Sequence, residues 1–94
     1  MVNSRYTKLT EEDYDGKLRE MGNYLWDLEQ QADLASQRGD ESTVAEREQQ
    51  IARIGQKAHA FSQIPGRHQI LAFYVAGLAN RMTRRWEAAA DCFF

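Results

Sequence analysis

An apolar repeat in the first half of the chain strongly constrains the fold. Between residues 14 and 35, apolar side chains recur at alternating spacings of four and three: Tyr14, Leu18, Met21, Leu25, Leu28, Ala32 and Ala35. This spacing places them all on one side of an α-helix. Thr10 precedes three acidic residues, which is typical of a helix start, and Gly39 stands where a helix end is expected. The sequence therefore predicts a helix over residues 11–38.

A second helix is predicted over residues 43–63, with Asp40 or Ser42 as its cap. Its stripe has the same spacing, interrupted by one arginine: Val44, Arg47, Ile51, Ile54, Ala58 and Phe61. A connection of about three residues makes neighbouring helices antiparallel. We therefore expect a long helical hairpin, with Leu25 and Leu28 packed against Ile51 and Ile54.

Pro65 and Gly66 end this hairpin, because proline cannot donate the amide hydrogen bond that a continuing helix needs. A third helix is expected to use one face, made of Ile70, Leu71, Tyr74, Val75, Leu78 and Met82. Thr83 is expected to cap a fourth helix, with Trp86, Ala89, Ala90 and Phe93 on one side. No alternation of period two indicates strands. The predicted fold is all-α with four helices, an antiparallel hairpin followed by a shorter helix pair.

The last part of the chain resembles a tetratricopeptide repeat. The spacing that carries the resemblance is that of Phe73, Ala76, Gly77, Trp86, Ala89 and Phe93. It covers residues 70–93 only, and it departs from the family pattern at Asn80 and at Arg84, where a tyrosine and a glycine are usual. The resemblance implies a tightly crossing helix pair that binds a peptide or a protein, since such repeats rarely catalyse a reaction.

Two further features concern packing. Gly22 and Gly55 are predicted inside helices, where each costs about 1 kcal/mol relative to alanine, so they are expected to mark places where another helix crosses; mere tolerance is the alternative. Tyr24, Trp26 and Leu34 lie off the stripe of the first helix. We expect helices three and four to cover them; if left exposed, they form an interaction patch.

Residue types that support catalysis or metal binding do not occur in suitable patterns. His59, His68 and Cys92 lack the spacing that prearranges a metal site, and nothing local activates Cys92 as a nucleophile. Glu11 and the acids that follow it suit a solvated helix terminus. Isolated glycines do not make a phosphate loop. The sequence therefore predicts no enzyme, no cofactor and no metal.

Length and composition predict one folded domain over residues 1–94. The chain is 43% hydrophobic and has one proline, and no stretch reaches the roughly 18 apolar residues of a membrane span. No secretory signal is recognisable at the start, so a cytoplasmic location is expected. The chain ends inside its predicted last helix, which raises the alternative that it is the N-terminal part of a longer helical-repeat protein.

The charge is divided unevenly between the two halves of the chain. Residues 1–48 have twelve acids and six bases, a net charge of −6, whereas residues 49–94 have two acids and six bases, a net charge of +4. The halves are expected to face each other and partly neutralise; an exposed basic C-terminal face is the alternative.

The leading functional hypothesis is a protein-interaction or regulatory adaptor module that binds a protein or peptide partner, with self-association as a variant. The expected partner-binding residues combine positive charge with aromatic surface: Arg81, Arg84, Arg85, Trp86, Phe93 and Phe94. The alternative is nucleic-acid binding through the basic region from Arg67 to Arg85. The net charge of −2 and a sequence pI near 5.6 argue against that alternative.

Overall fold

The computed structural model describes the backbone of residues 10–92 and the side chains of residues 10–84. These residues form three helices: α1 (Glu11–Gln37), α2 (Glu41–Ser62) and α3 (Gln69–Cys92). The described part of the chain contains no strand. The predicted all-α class is therefore confirmed.

The predicted number of helices is wrong. Residues 69–92 form one continuous helix, so the shorter helix pair expected after Pro65 is not formed. Thr83 does not cap a new helix; its hydroxyl donates a hydrogen bond to the Ala79 carbonyl, 2.9 Å away, within α3. No glycine or proline follows Gly77, and the arginines and methionine around Thr83 favour a helix. The local cap signal is therefore overridden by uninterrupted helix formers.

The ends of α1 are formed by local interactions that the sequence predicted. The Thr10 hydroxyl accepts a hydrogen bond from the Asp13 amide at 3.2 Å, and the Thr10 amide donates to the Asp13 carboxylate at 3.0 Å. This reciprocal pair satisfies two amides that a helix start leaves unpaired. At the other end, Gly39 has a φ of 73°, a left-handed conformation that favours glycine. Asp40 then caps α2 by accepting a hydrogen bond from the Thr43 amide at 3.2 Å.

The apolar stripe of α1 forms one side of the core, as predicted. Five of its members are buried, namely Leu18, Leu25, Leu28, Ala32 and Ala35. Across from them lie Ile51 and Ala58 of α2, with Ile54 and Phe61 partly buried against the same cluster. α3 contributes Ala72, Val75, Leu78, Ala79 and Met82. The predicted packing of the hairpin is confirmed, with Ile54 at its margin.

α2 packs against both other helices. The contact between α2 and α3 is the most extensive, and the contact between α1 and α3 is the least extensive. A Cβ at Gly55 would lie 2.9 Å from the Ala79 Cβ, so α2 and α3 cross closely there, as predicted. A Cβ at Gly22 would lie 3.9 Å from Val75 Cγ2, an ordinary contact between α1 and α3. The short connections make α1 and α3 parallel to each other and antiparallel to α2.

Candidate interaction surface

A closed polar cluster joins the start of α1 to the residue just before α3. His68 is 1% exposed, and its backbone amide donates to Glu11 Oε2 at 3.0 Å. Its ring Nδ1 lies 3.2 Å from the same oxygen, and its Nε2 lies 3.1 Å from the Phe61 carbonyl oxygen. Both ring nitrogens therefore face acceptors, and a doubly protonated ring can donate to both of them.

Aromatic rings and a glycine enclose this cluster. Tyr14 stacks on the His68 ring with 4.3 Å between centroids, and it meets Phe61 edge to face at 5.4 Å. Gly66 has a φ of 150°, and a Cβ there would collide with Glu11 and with the His68 ring. The ring is therefore engaged at both nitrogens and covered on its face. Such a histidine holds the fold together and is not accessible to a substrate.

The Glu11 carboxyl is held in its ionised form by this arrangement. Partial burial raises the pKa of Glu11, but the hydrogen bonds from the amide and ring of His68 lower it more, so the pKa lies below its ordinary value. Arg67, exposed beside Glu11, Glu12 and Asp15, contributes in the same direction. Glu11 lies in the first turn of α1 with its side chain 39% exposed, as expected, but it also reaches a residue 57 positions away, which was not predicted.

The outward side of α3 carries unpartnered apolar side chains. Ile70 is 81% exposed, Phe73 57% and Tyr74 54%. Gly77, Arg81 and Arg84 are also exposed, and their spacing of three and four residues places them on the same side of α3. We call this set the outer α3 face: Ile70, Phe73, Tyr74, Gly77, Arg81 and Arg84.

A shallow groove of about 620 Å³ between α2 and α3 adjoins the outer α3 face and shares Phe73 and Gly77 with it. Its lining is mainly small: Ala52, Gly55, Ala76, Gly77 and Ala79. Polar side chains of Gln56, His59, Asn80 and Thr83 complete the lining. A Cβ at Gly77 would meet nothing within 4 Å, so the surface above this glycine is open. Small residues therefore form the floor of the groove, and Phe73 lies at its edge.

The residues predicted to bind a partner are only partly described. Arg81 and Arg84 are exposed on the outer α3 face, and no described residue forms an ion pair with either. Arg85 and Trp86 belong to α3, but their side chains lie outside the described ones. Phe93 and Phe94 lie outside the described residues altogether. A binding role for these six residues stays a prediction.

The apolar half of this surface was not predicted. Ile70 and Tyr74 were placed on one face of the third helix together with Val75, Leu78 and Met82, whereas in the structure both are exposed. The available signal was the unbroken apolar run over residues 70–76, because seven consecutive apolar side chains point to all sides of a helix. One part of such a helix must stay exposed unless a further element covers it.

Exposed apolar side chains on α1 do not form a comparable patch. Tyr24, Trp26 and Leu34 are about half exposed, so the expectation that further helices cover them is wrong. At 3.6 residues per turn, Tyr24 and Trp26 point about 160° apart, and Leu34 points between them. They are separate exposed side chains, a common feature of protein surfaces.

The described part of the chain contains neither a metal-binding cluster nor a membrane-spanning helix. No group of three or more histidine, cysteine, aspartate or glutamate side chains there could hold a metal ion. None of the described helices combines the length and the apolar character required to cross a membrane.

No family model matches the chain, and neither curated proteins nor solved structures give a match. The resemblance of residues 70–93 to a tetratricopeptide repeat therefore stays a prediction that no comparison tests, although the helix pair it implied is not formed.

Proposed function

We propose that this protein is a non-enzymatic interaction or adaptor module that binds a protein or peptide through the outer α3 face. The observation that carries the proposal is the exposure of Ile70, Phe73 and Tyr74 within two turns of one helix. Apolar side chains grouped in this way on a small domain mark an interaction site more often than scattered ones do.

The composition of the face supports the same proposal. Aromatic residues and arginine are enriched among the residues that dominate binding energy at protein interfaces. Phe73 and Tyr74 supply the aromatic surface, and Arg81 and Arg84 supply positive charge about two to three turns further along. Desolvation of the aromatic rings would hold a partner, and the arginines would steer its approach.

A basic surface suited to nucleic acid has less support. Arg67, at one end of the basic region, lies beside Glu11, Glu12 and Asp15. It is also separated from Arg81 by 14 residues, which correspond to about 20 Å along a helix. The positive charge of the region is therefore divided, and its Arg81 end adjoins apolar surface.

The proposal can be tested by affinity capture from cells that naturally contain the protein, followed by identification and reconstitution of each captured protein. The test variant is Phe73→Ser with Tyr74→Ser, and the matched control is Trp26→Ser with Leu34→Ser, which removes exposed apolar surface from α1 instead. We expect a partner that the wild type and the control retain and the α3 variant loses.

Circular dichroism should show equal helix content in all three proteins. If no reconstituted partner distinguishes the α3 variant from the control, the outer α3 face is not the binding surface. Sedimentation of the purified wild type shows in the same experiment whether the partner is a second copy.

A further inference from the structure

The geometry points to one class of occupant for the outer α3 face and its adjoining groove: an acidic amphipathic helix of another protein. This inference rests on the proposed function and adds the chemistry of the partner. The surface itself is the outer α3 face together with the floor contributed by Ala52 and Gly55 of α2.

The shape of the surface fits a helix. The lining of the groove on α3 extends from Phe73 to Thr83, about 15 Å at 1.5 Å per residue, which matches three turns of a bound helix. Small residues on the floor of the groove allow the axis of a partner's helix to approach α2 and α3. A bound helix would place apolar residues against Phe73 and over Gly77, with Ile70 at one end of the contact.

The charge of the surface selects an acidic occupant. No aspartate or glutamate occurs between residues 49 and 86, so α3 from Gln69 to Arg84 carries only positive charges. Arg81 and Arg84 lie on the outer α3 face with no ionic partner among the described residues. Carboxylates near the end of a bound helix would pair with these guanidinium groups, whereas a basic helix would be repelled.

Neither residues 1–9 nor the side chains that the structure describes supply such an occupant. Residues 1–9 contain Arg5 and Lys8 and no acid, so their charge has the wrong sign. α1 is acidic, but its apolar stripe is buried in the core and its exposed apolar residues point to separate sides. Among its described residues, a folded second copy therefore offers no free apolar stripe beside its acids. The complementary partner is another protein.

The test uses a displayed library of 16-residue peptides. Leucine is fixed at spacings of three and four, and each of the remaining positions is Glu or Lys at random. The selected sequences therefore report the preferred charge directly. We expect the wild type to enrich Glu-rich peptides. The charge-reversed variant Arg81→Glu with Arg84→Glu should enrich Lys-rich peptides instead.

Two variants complete the design. Gly77→Leu places a side chain on the open surface above the groove, where a Cβ meets nothing within 4 Å, and it replaces glycine by a better helix former, so it should fold and enrich nothing. Leu34→Ser removes an exposed apolar side chain from α1 and should select the same peptides as the wild type. In fluorescence anisotropy, the most enriched peptide should bind at least tenfold more weakly to Gly77→Leu and to the charge-reversed variant.

Several results would overturn the inference: no binders, equal use of Glu and Lys, a charge preference that does not change with Arg81 and Arg84, or full binding to Gly77→Leu. If the wild type forms a dimer and Gly77→Leu dissociates it, the occupant is a second copy, and the inference is again overturned. If cellular capture depends on Phe73 and Tyr74 but the library shows no preference for Glu, the proposed function stands and this inference fails. If the library behaves as expected but no cellular partner depends on those two residues, the proposed function fails instead.

Discussion

The few residues around the start of α3 include both a closed and an open region of the molecule. His68 is enclosed by Glu11, Tyr14 and the Phe61 carbonyl, whereas Ile70, two residues later, projects from the surface. The buried residues on the inner side of α3 pack against both other helices. On the outer α3 face, the described chain provides no cover.

The inner side of α3 therefore contributes to stability, whereas the outer side of the same helix is the one that we propose for binding. The inner side of α3 is held by Val75, Leu78 and Met82 in the common core. The residues of the outer α3 face are exposed and contribute little to that core. Substitutions on the inner side should therefore change the free energy of unfolding, and those on the outer side should change binding.

The largest expected effect comes from a pair of leucines in α1. Leu28 is buried in the core and Leu34 is exposed. Leu28→Ala should lower the free energy of unfolding by about 2 to 5 kcal/mol because it leaves a cavity. Leu34→Ala should change it by no more than about 0.5 kcal/mol. Urea denaturation measures both, and equal losses would show that the assignment of inner and outer sides is wrong.

A smaller effect is expected at the two glycines with positive φ. Gly66→Ala forces a side chain into a conformation that costs about 1 to 3 kcal/mol and also pushes a Cβ into Glu11 and His68. Gly39→Ala has the backbone cost alone, because a Cβ there meets nothing within 4 Å. Gly66→Ala should therefore destabilise the protein more than Gly39→Ala in thermal unfolding. The reverse order would contradict the tight packing around His68.

Two helical glycines should respond in opposite directions. Gly55→Ala places a Cβ 2.9 Å from the Ala79 Cβ, and separating the helices should cost more than the roughly 1 kcal/mol that alanine returns in helix propensity. Gly77→Ala meets nothing and should stabilise the protein by about 0.5 to 1 kcal/mol. Stabilisation by both substitutions would show that α2 and α3 do not cross closely.

The smallest expected effect is on the pH dependence of stability. The folded-state pKa of Glu11 is lowered, so its contribution is fully present above the ordinary glutamate pKa of about 4.3 and is lost as pH falls through the folded value. Glu11→Gln should therefore flatten the loss of stability in acid. Part of that loss should remain, because hydrogen bonds from Thr10 and Thr43 also lower the pKa of Asp13 and Asp40. An unchanged pH profile would contradict the hydrogen bonds between the Glu11 carboxylate and His68.

Local signals explain which parts of the fold the sequence predicted. The cap at Thr10, the glycine at residue 39 and the spacing of three and four defined α1 because each acts within one or two turns. The extent of α3 was not predictable in this way, since Thr83 resembles a cap yet bonds within the helix. The contact between Glu11 and His68 has no local signal at all.

The candidate site was predicted only in part. Arg81 and Arg84 were identified from their charge, and the structure leaves both exposed. Ile70 and Tyr74 were placed on the same face as Val75 and Leu78, because consecutive apolar residues give no period from which to choose a face. That choice depends on how many helices pack against α3, which is a property of the whole fold.

The most direct test of the account is site-specific photocrosslinking in the native cell. A benzophenone amino acid replaces Phe73 on the outer α3 face in one protein and Trp26 on α1 in another, both exposed aromatic positions. The account predicts a crosslinked partner from position 73 and none from position 26. A partner captured only from position 26, or no crosslink from position 73, would contradict the claim that the outer α3 face is the binding surface.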